Sequence, residues 1–299
     1  MNGHHYLIGF DLGGTRLKAV AVTPDGTELA RETHPSDDDW MDRVRACHRD
    51  LTSRFGPPLA VGAAAPGLAS ADERRISFMP GRLTGLEGLD WTRFLSSPTA
   101  IPVLNDAHAA LLGEAWLGAA KGERDVILIT LGTGVGGAIL SDGKLLRGHL
   151  GRAGHLGHIT VDAGGPPDLV NIPGSLEDAV GNHSLHHRSN GRYTTTRELA
   201  GDVARGDPGA AAIWDRMIRD LAAAIASLVN ITDPALVLLG GGIAEAGDIL
   251  FTPLQSALDR FEWRPGGSQI RLARAQLGEW AGAYGAAAYA LQSIRPSSP

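Results

Sequence analysis

Two carboxylates, two glycine turns and a group of histidines hold most of the chemistry this chain could perform. Asp11 opens the turn Asp11-Leu12-Gly13-Gly14-Thr15, and Gly132-Thr133-Gly134-Val135-Gly136-Gly137 forms a second one. Glycines at a turn tip permit positive φ and let backbone N–H groups come close to phosphate oxygens. Thr15 and Thr133 add hydroxyl donors. A Rossmann or Walker loop must open a helix whose N-terminus holds the phosphate. Here an apolar run resumes after each turn, Leu17 to Val22 and Ala138 to Leu140, so each turn reads as the tip of a β-hairpin. Two ordinary tight hairpins are the plainer alternative, but their occurrence at corresponding places in both halves favours a phosphate chain gripped from two sides. Asp11, being anionic, cannot bind phosphate directly; it can hold magnesium through water, since that ion favours carboxylate oxygen and keeps its waters.

Asn105-Asp106 lies where a short apolar strand passes into a helix-forming run. Two roles are open for Asp106 and they can coexist: a helix N-cap, which stabilises by about 1 kcal/mol, or a general base that takes a proton from a hydroxyl attacking a γ-phosphate. In Gly151-Arg152-Ala153-Gly154-His155-Leu156-Gly157-His158, two histidines stand three apart among small residues, either in a solvated loop or as a polar wall for sugar hydroxyls. Glu177 opens a short helix, where it suits the helix dipole. His183, His186 and His187 share a helical spacing but have no carboxylate or cysteine partner in sequence, so a solvated segment is preferred over a metal site. Gly240-Gly241-Gly242 leaves bare backbone at the carboxyl end of an apolar strand, where α/β folds bind ligands. Pro66-Gly67 reads as a turn that either ends a strand or exposes backbone near a substrate.

The elements that must position these residues follow from periodicity. Residues 6–34 read as a β-meander with Asp25-Gly26 at one turn, followed by a helix over 37–55 and strands at 59–65 and 101–104. A helix over 107–120 comes next. The pattern then restarts: a meander over 126–147 with Asp142-Gly143 at its turn, helices over 197–205 and 210–230, a strand at 235–239, a helix at 250–261, a strand at 269–273 and an alanine-rich helix over 280–292. This is an internal duplication of two related α/β domains. The expected boundaries are 1–112, joined by a returning C-terminal helix at 286–299, for a small domain and 113–285 for a large one.

At 299 residues the chain can build two cores. A net charge of -6 argues against a general nucleic-acid surface. The single Cys47 excludes a disulfide framework and any cysteine-cluster metal site, and fits a reducing cytoplasm. No apolar run approaches the roughly 20 residues that span a bilayer, so neither a membrane nor a nucleic acid is an expected partner.

Taken together, these residues resemble a ROK-family sugar kinase within the actin-like ATPase superfamily, over nearly the whole chain. Asp11-Leu-Gly-Gly-Thr-Arg-Leu-Lys18 is similar to the first phosphate motif and Leu131-Gly-Thr-Gly-Val-Gly-Gly137 to the second. Pro66-Gly67 matches a Pro-Gly of the substrate domain, Asn105-Asp106 the pair whose aspartate is the catalytic base, and Gly240-Gly-Gly-Ile243 the adenosine motif. The resemblance implies two actin-like (ribonuclease-H-like) domains with a central cleft, in-line transfer of the ATP γ-phosphate, Mg2+, a carbohydrate substrate and a homodimer. It implies Asp106 as base, Asn105 as a substrate-positioning group, and His155, His158 and Glu177 as a sugar wall. Lys18 and both glycine turns would line the nucleotide phosphates.

The chain also departs from the family pattern. The family places Glu where His155 stands, and three zinc-binding cysteines where Asp168, Val170 and Ser175 stand; His158 keeps the zinc histidine and Glu177 the closing Glu. A Cys3His zinc site is therefore excluded, and packing with three prolines must order residues 164–174. The family's Asn falls on Arg82. Imidazole can donate as well as accept, unlike a carboxylate, and Arg82 would add a cation. These changes point to an altered or anionic sugar or a cyclitol, against the alternative of a glucose kinase with drifted contacts. A sugar-responsive repressor and a sugar-binding protein without kinase activity are the rivals from other classes. The repressor would need an N-terminal DNA-binding domain, for which a phosphate strand starting at Tyr6 leaves no room.

Overall fold

The computed structural model describes residues 5–79 and 83–294. They divide into two compact units: one holds the described residues up to Gly122, Arg147–Ala153 and those from Gln276 onward; the other holds Glu123–Leu146 and Gly154–Ala275. This moves the expected boundaries from 112 to 122 and from 286 to 276. It also assigns a short segment, Arg147–Ala153, to the first unit.

The first unit is built on a five-stranded sheet. β1 (Leu7–Leu12), β2 (Arg16–Val22) and β3 (Glu28–Pro35) form an antiparallel meander, while β4 (Ala60–Ala65) and β7 (Val103–Asn105) extend it in parallel on the other side of β1. The order is β3-β2-β1-β4-β7. Both β1 and β4 are buried at every residue, as expected of central strands covered on both faces. One face is covered by α1 (Trp40–Phe55), whose Trp40, Val44, Cys47 and Leu51 are buried at helical spacing, and by the four-residue α2 (Trp91–Phe94). Two short strands, β5 (Leu68–Ala69) and β6 (Ile76–Phe78), make a small ribbon that periodicity does not reveal.

On the other face lie α3 (Asp106–Leu117) and the C-terminal α9 (Ala281–Ile294). α9 is rich in alanine and glycine because it runs against backbone. A β-carbon on Gly62 of β4 would overlap the Ala286 carbonyl carbon and oxygen. The buried Glu114 of α3 fastens the start of this return, accepting N–H bonds from Ala119 at 2.8 Å and Leu277 at 2.7 Å.

The second unit repeats the plan. β8 (Val126–Leu131), β9 (Val135–Ser141) and β10 (Lys144–Leu145) form the meander, and β11 (Leu236–Gly240) and β12 (Arg271–Arg274) add in parallel, in the order β10-β9-β8-β11-β12. Strand for strand this matches the first sheet, so the duplication read from sequence is present in topology. The core between sheet and helices is formed by α4 (Leu176–Val180), α5 (Asn182–Arg188), α6 (Thr196–Ala204), α7 (Pro208–Thr232) and α8 (Asp248–Phe261). The long α7 starts where expected chemically: Asp207 caps Ala210 N–H at 2.7 Å and Pro208 occupies the first turn. No described helix is long and apolar enough to cross a membrane.

Candidate active site

In the first unit the singled-out residues converge on one edge of the sheet. Asp11 is the penultimate residue of β1, Pro66-Gly67 follows β4, and Asn105 ends β7 with Asp106 directly after it; the register pairs Asp11 with Ala64 and Ala65 with Asn105, so all three exits share the carboxyl edge. Asp11 is 8% exposed. Its carboxyl stands at about 6 against the ordinary 3.8: burial pushes it up most, Lys18 draws it down, and the charge of Asp106 pushes it up. Lys18, paired with Asp11 across the hairpin, holds its ammonium 3.6 Å from Asp11 Oδ2 and 3.9 Å from Glu279 Oε2. Two carboxylates in each other's field, one of them buried with Lys18 beside it, fit a divalent cation bound through Asp11. Room for that carboxyl comes from α9: a β-carbon on Gly282 would lie 2.8–3.0 Å from its three terminal atoms. Sequence reasoning missed Gly282, because nothing in an alanine-rich helix marks which glycine faces Asp11.

The cap of α3 is Asn105 and not Asp106, a correction to the sequence expectation. Asn105 Oδ1 accepts from Ala107 N–H at 3.0 Å and His108 N–H at 3.3 Å, and its Nδ2 donates to the Gly67 carbonyl at 3.0 Å. An aspartate has no donor for that last bond. Asp106 is thereby released from capping and becomes the first helical residue, half-buried, with Oδ1 accepting from Ala107 N–H at 2.8 Å. The hairpin tip beside it uses Gly13 N–H internally, on the Arg16 carbonyl at 2.9 Å. The N–H groups of Gly14 and Thr15 have no acceptor among the described residues.

In the second unit the other hairpin is braced from behind. The carbonyls of Gly132 and Thr133 accept from Asn182 and His183 N–H at 3.0 and 2.9 Å, and Glu177 Oε2 accepts from Val135 N–H at 2.8 Å. His183 bridges further, Nδ1 to the Thr133 carbonyl at 3.0 Å and Nε2 to Asp178 at 2.7 Å. The tip presents the N–H groups of Thr133 and Gly134, which have no acceptor among the described residues. None of Gly13, Gly14, Gly132 or Gly134 has positive φ, so the expectation of left-handed glycines fails. What Gly134 supplies is space, since a β-carbon there would strike the Glu177 carboxylate. Gly241 does take φ 83, and Gly240 pairs with Thr130, so the exposed Gly241-Gly242 backbone flanks the end of the strand leading to Gly132.

His155 is half-buried and His158 exposed, their rings near parallel with centroids 6.4 Å apart. Residues 162–174 form a hairpin of their own: Asp168 and Ile172 pair at 2.9 Å, and Gly174 N–H meets the Pro166 carbonyl at 2.9 Å. Asp168 Oδ1 accepts from Val170 and Ile172 N–H, both at 2.9 Å. Burial raises the Asp168 carboxyl, but these bonds, a bond from Ser175 and the nearby His158 outweigh it and hold it below the usual range. Zinc does not fit here: Val170 brings no donor and the aspartate is spent on the turn. Among the described residues the only three-residue group with metal-ligating atoms in reach is Glu32, His34 and Cys47, in the first unit. Arg82 lies outside the described residues. A cavity of about 490 Å³ in the second unit, lined by Asp162, Ser175, Asp178, Arg188, Arg216 and Asp220 among others, includes none of the expected site residues.

The sequence profile of the ROK family matches residues 7–293. A glucokinase of Thermotoga maritima is 33% identical over 273 residues, covering 83% of this chain and 86% of its own. The crystal structure of a ROK hexokinase from Thermus thermophilus superposes with a TM-score of 0.87 at 30% identity, over 97% of this chain and 99% of that one. A ROK glucokinase from Streptomyces griseus, solved with glucose and AMPPNP, gives 0.77 at 28% identity over 96% and 99%.

Proposed function

We propose that this chain, which belongs to the ROK family and is a carbohydrate kinase, transfers the γ-phosphoryl group of ATP to a sugar hydroxyl with Asp106 as general base. The observation that carries the assignment is the division of labour at the start of α3. Asn105 takes over the cap, and Asp106 stands half-buried on the sheet edge, in the field of Asp11 and next in topology to the bare N–H groups of Gly14 and Thr15. The acceptor hydroxyl gives its proton to the Asp106 carboxylate as its oxygen bonds to Pγ. The bridge from Pγ to the β-phosphate oxygen breaks and ADP leaves. N–H groups at Gly14, Thr15, Thr133 and Gly134 meet the phosphate oxygens, and positioned donors of this kind cost no reorganisation during transfer. Gly240, Gly241 and Gly242 offer backbone to the adenosine. Magnesium, held through water by Asp11, would offset phosphate charge. No structural zinc is required, and a homodimer is the expected assembly.

For the sugar, His155, His158 and the remaining Glu177 oxygen, Oε1, supply donors and acceptors from the second unit; in the first unit Asn105 is the substrate-positioning group and Pro66-Gly67 offers backbone. His155 in place of Glu favours an acceptor other than unmodified glucose: an N-acetylhexosamine, a modified or anionic sugar, or a cyclitol. ADP release measured over a panel of hexoses, N-acetylhexosamines, uronic acids and cyclitols tests this, with polyphosphate as a second donor. Glucose as clearly the best acceptor overturns the altered-pocket reading. ADP release with no acceptor in the panel favours a sugar-binding protein without kinase activity. Asp106→Asn removes the base without changing size; turnover should fall by about 10²-fold or more, with the fold retained. Near-wild-type turnover would refute the assignment of Asp106.

A further inference from the structure

Glu32 and His34 stand two apart on β3, so their side chains leave the same face of the strand. In register they pair with Ala19 and Leu17 of β2, both buried in the core that α1 covers. Asp11 and Lys18, which pair with each other, alternate to the opposite face. From α1 the buried Cys47 completes a group of three: one ligand atom from each of Glu32, His34 and Cys47 lies within 4.8 Å of the other two. β3 is an edge strand of its sheet, and the His34 side chain keeps 34% of its surface exposed. The group therefore has a thiol at its floor and an imidazole toward solvent.

The spacing suits a metal ion. His34 Nε2 lies 3.3 Å from Glu32 Oε2. Two ligands about 2.0–2.1 Å from zinc, at a tetrahedral angle, stand about 3.3–3.4 Å apart. The other carboxylate oxygen, Oε1, accepts from the Arg54 guanidinium at 2.9 Å, and the same nitrogen reaches Asp50 at 3.0 Å. Arg54 thus holds Glu32 with Oε2 toward His34, as outer partners orient ligating carboxylates, and Asp50 offsets its charge. A thiolate and a carboxylate together balance a divalent cation. A protonated His34 paired with Glu32 is the plainer use of the 3.3 Å contact, but it gives the sulfur no part.

We propose that Glu32 Oε2, His34 Nε2 and Cys47 Sγ form a zinc site, with water from the solvent side as fourth ligand, that ties the edge strand β3 to α1. Thiolate and imidazole select a borderline ion such as zinc over magnesium, which prefers oxygen. On binding, the Cys47 S–H bond breaks, its proton leaves to solvent and the sulfur gives its electron pair to the metal. His34 binds through the lone pair of Nε2 with its proton on Nδ1. Burial, and after it the charge of Glu32, push the thiol up, so that proton is lost at a cost. The site therefore fills when zinc is supplied and yields it to a chelator. It lies on the face of the sheet away from Asp11 and takes no part in phosphoryl transfer.

Cobalt(II) titrated into the chelator-treated full chain at pH 7.5 is the test. Cys47 is the only cysteine of the chain, so a thiolate-to-cobalt charge-transfer band in the near ultraviolet reports on that residue alone. One equivalent per chain should saturate the band, zinc should abolish it, and excess magnesium should leave it unchanged. His34→Gln and Glu32→Gln should each weaken cobalt binding by about 10-fold or more, and Cys47→Ser should remove the band. Zinc should raise the urea midpoint of the wild type and shift that of each variant less, since a ligand held only by the folded state stabilises it. No charge-transfer band, saturation at half an equivalent (one ion shared by the Cys47 of two chains), or unchanged affinity in both His34→Gln and Glu32→Gln would each overturn the proposal. If Cys47→Ser fails to fold, the variants at the half-buried Glu32 and His34 still decide.

Discussion

Asp11→Asn should make this protein more stable and less active, and the size of the gain depends on pH. The Asp11 carboxyl is buried and stands at about 6 against an ordinary 3.8. At neutral pH the folded state therefore holds an ionised group that it disfavours, by up to about 3 kcal/mol at 1.36 kcal/mol for each factor of ten. A raised carboxyl contributes stability that is fully present below pH 3.8, where both states are protonated. That contribution is lost as pH rises through 6. Asparagine keeps the shape and removes the charge. Its amide must find partners among groups arranged for a carboxylate, with Lys18 3.6 Å away, so a gain of about 1–2 kcal/mol at pH 7.5 is the expected net. Near pH 4 the wild-type carboxyl is also neutral when folded, and the gain should vanish. Urea unfolding of both proteins without magnesium, at pH 7.5 and 4, measures it, and ADP release measures the accompanying loss of activity. A destabilised variant at pH 7.5, or a difference that does not change with pH, refutes the reasoning.

Gly282→Ala sets two effects against each other: alanine gains over glycine, by less than the about 1 kcal/mol of a helix interior because Gly282 is in the first turn of α9, while the β-carbon would press on the Asp11 carboxyl at 2.8–3.0 Å, and overpacking costs about 1–3 kcal/mol. Stability by urea unfolding should change little or fall, and kcat/KM should drop by about 10-fold or more; a stabilised, fully active variant would show that Asp11 has room to spare. Protein dialysed against a strong chelator and resupplied with magnesium should keep its activity and unfolding temperature, with substoichiometric zinc by elemental analysis, because residues 162–174 are ordered by hairpin hydrogen bonds; loss of activity restored only by zinc contradicts this.

The fold was legible wherever local chemistry and tertiary structure agree. The meanders over 6–34 and 126–147 show because apolar runs of strand length resume after Gly13-Gly14 and Gly132–Gly134, and the repetition of that pattern gives the duplication that the two sheet orders share. Less was legible where contacts far apart in sequence decide. Arg147 reads as the end of the second meander, yet β10 stops at Leu145 and Arg147 goes to Glu73, 74 residues away, with Tyr289 on the same carboxylate from 216 residues away. No local signal marks that partnership. β5 and β6 are too short to show a period.

The local geometry of the candidate site was only partly legible in the sequence. Asn and Asp are both strong N-caps, so Asn105-Asp106 cannot be resolved by propensity. The choice follows from the one atom in which they differ: only Asn105 has a nitrogen to give the Gly67 carbonyl, and once it is tied to that loop its oxygen reaches Ala107 and His108. The glycines carry a similar lesson. A glycine at a hairpin tip is read as a backbone that must turn left-handed, but Gly132 and Gly134 do not. Gly134 is bare because Glu177 fills the space of a side chain while binding Val135 N–H, and Gly282 is bare because Asp11 fills its own. In both cases a carboxylate lies where a β-carbon would be. The property selected is close approach, which sequence spacing cannot distinguish from handedness and which a single alanine substitution at either position can.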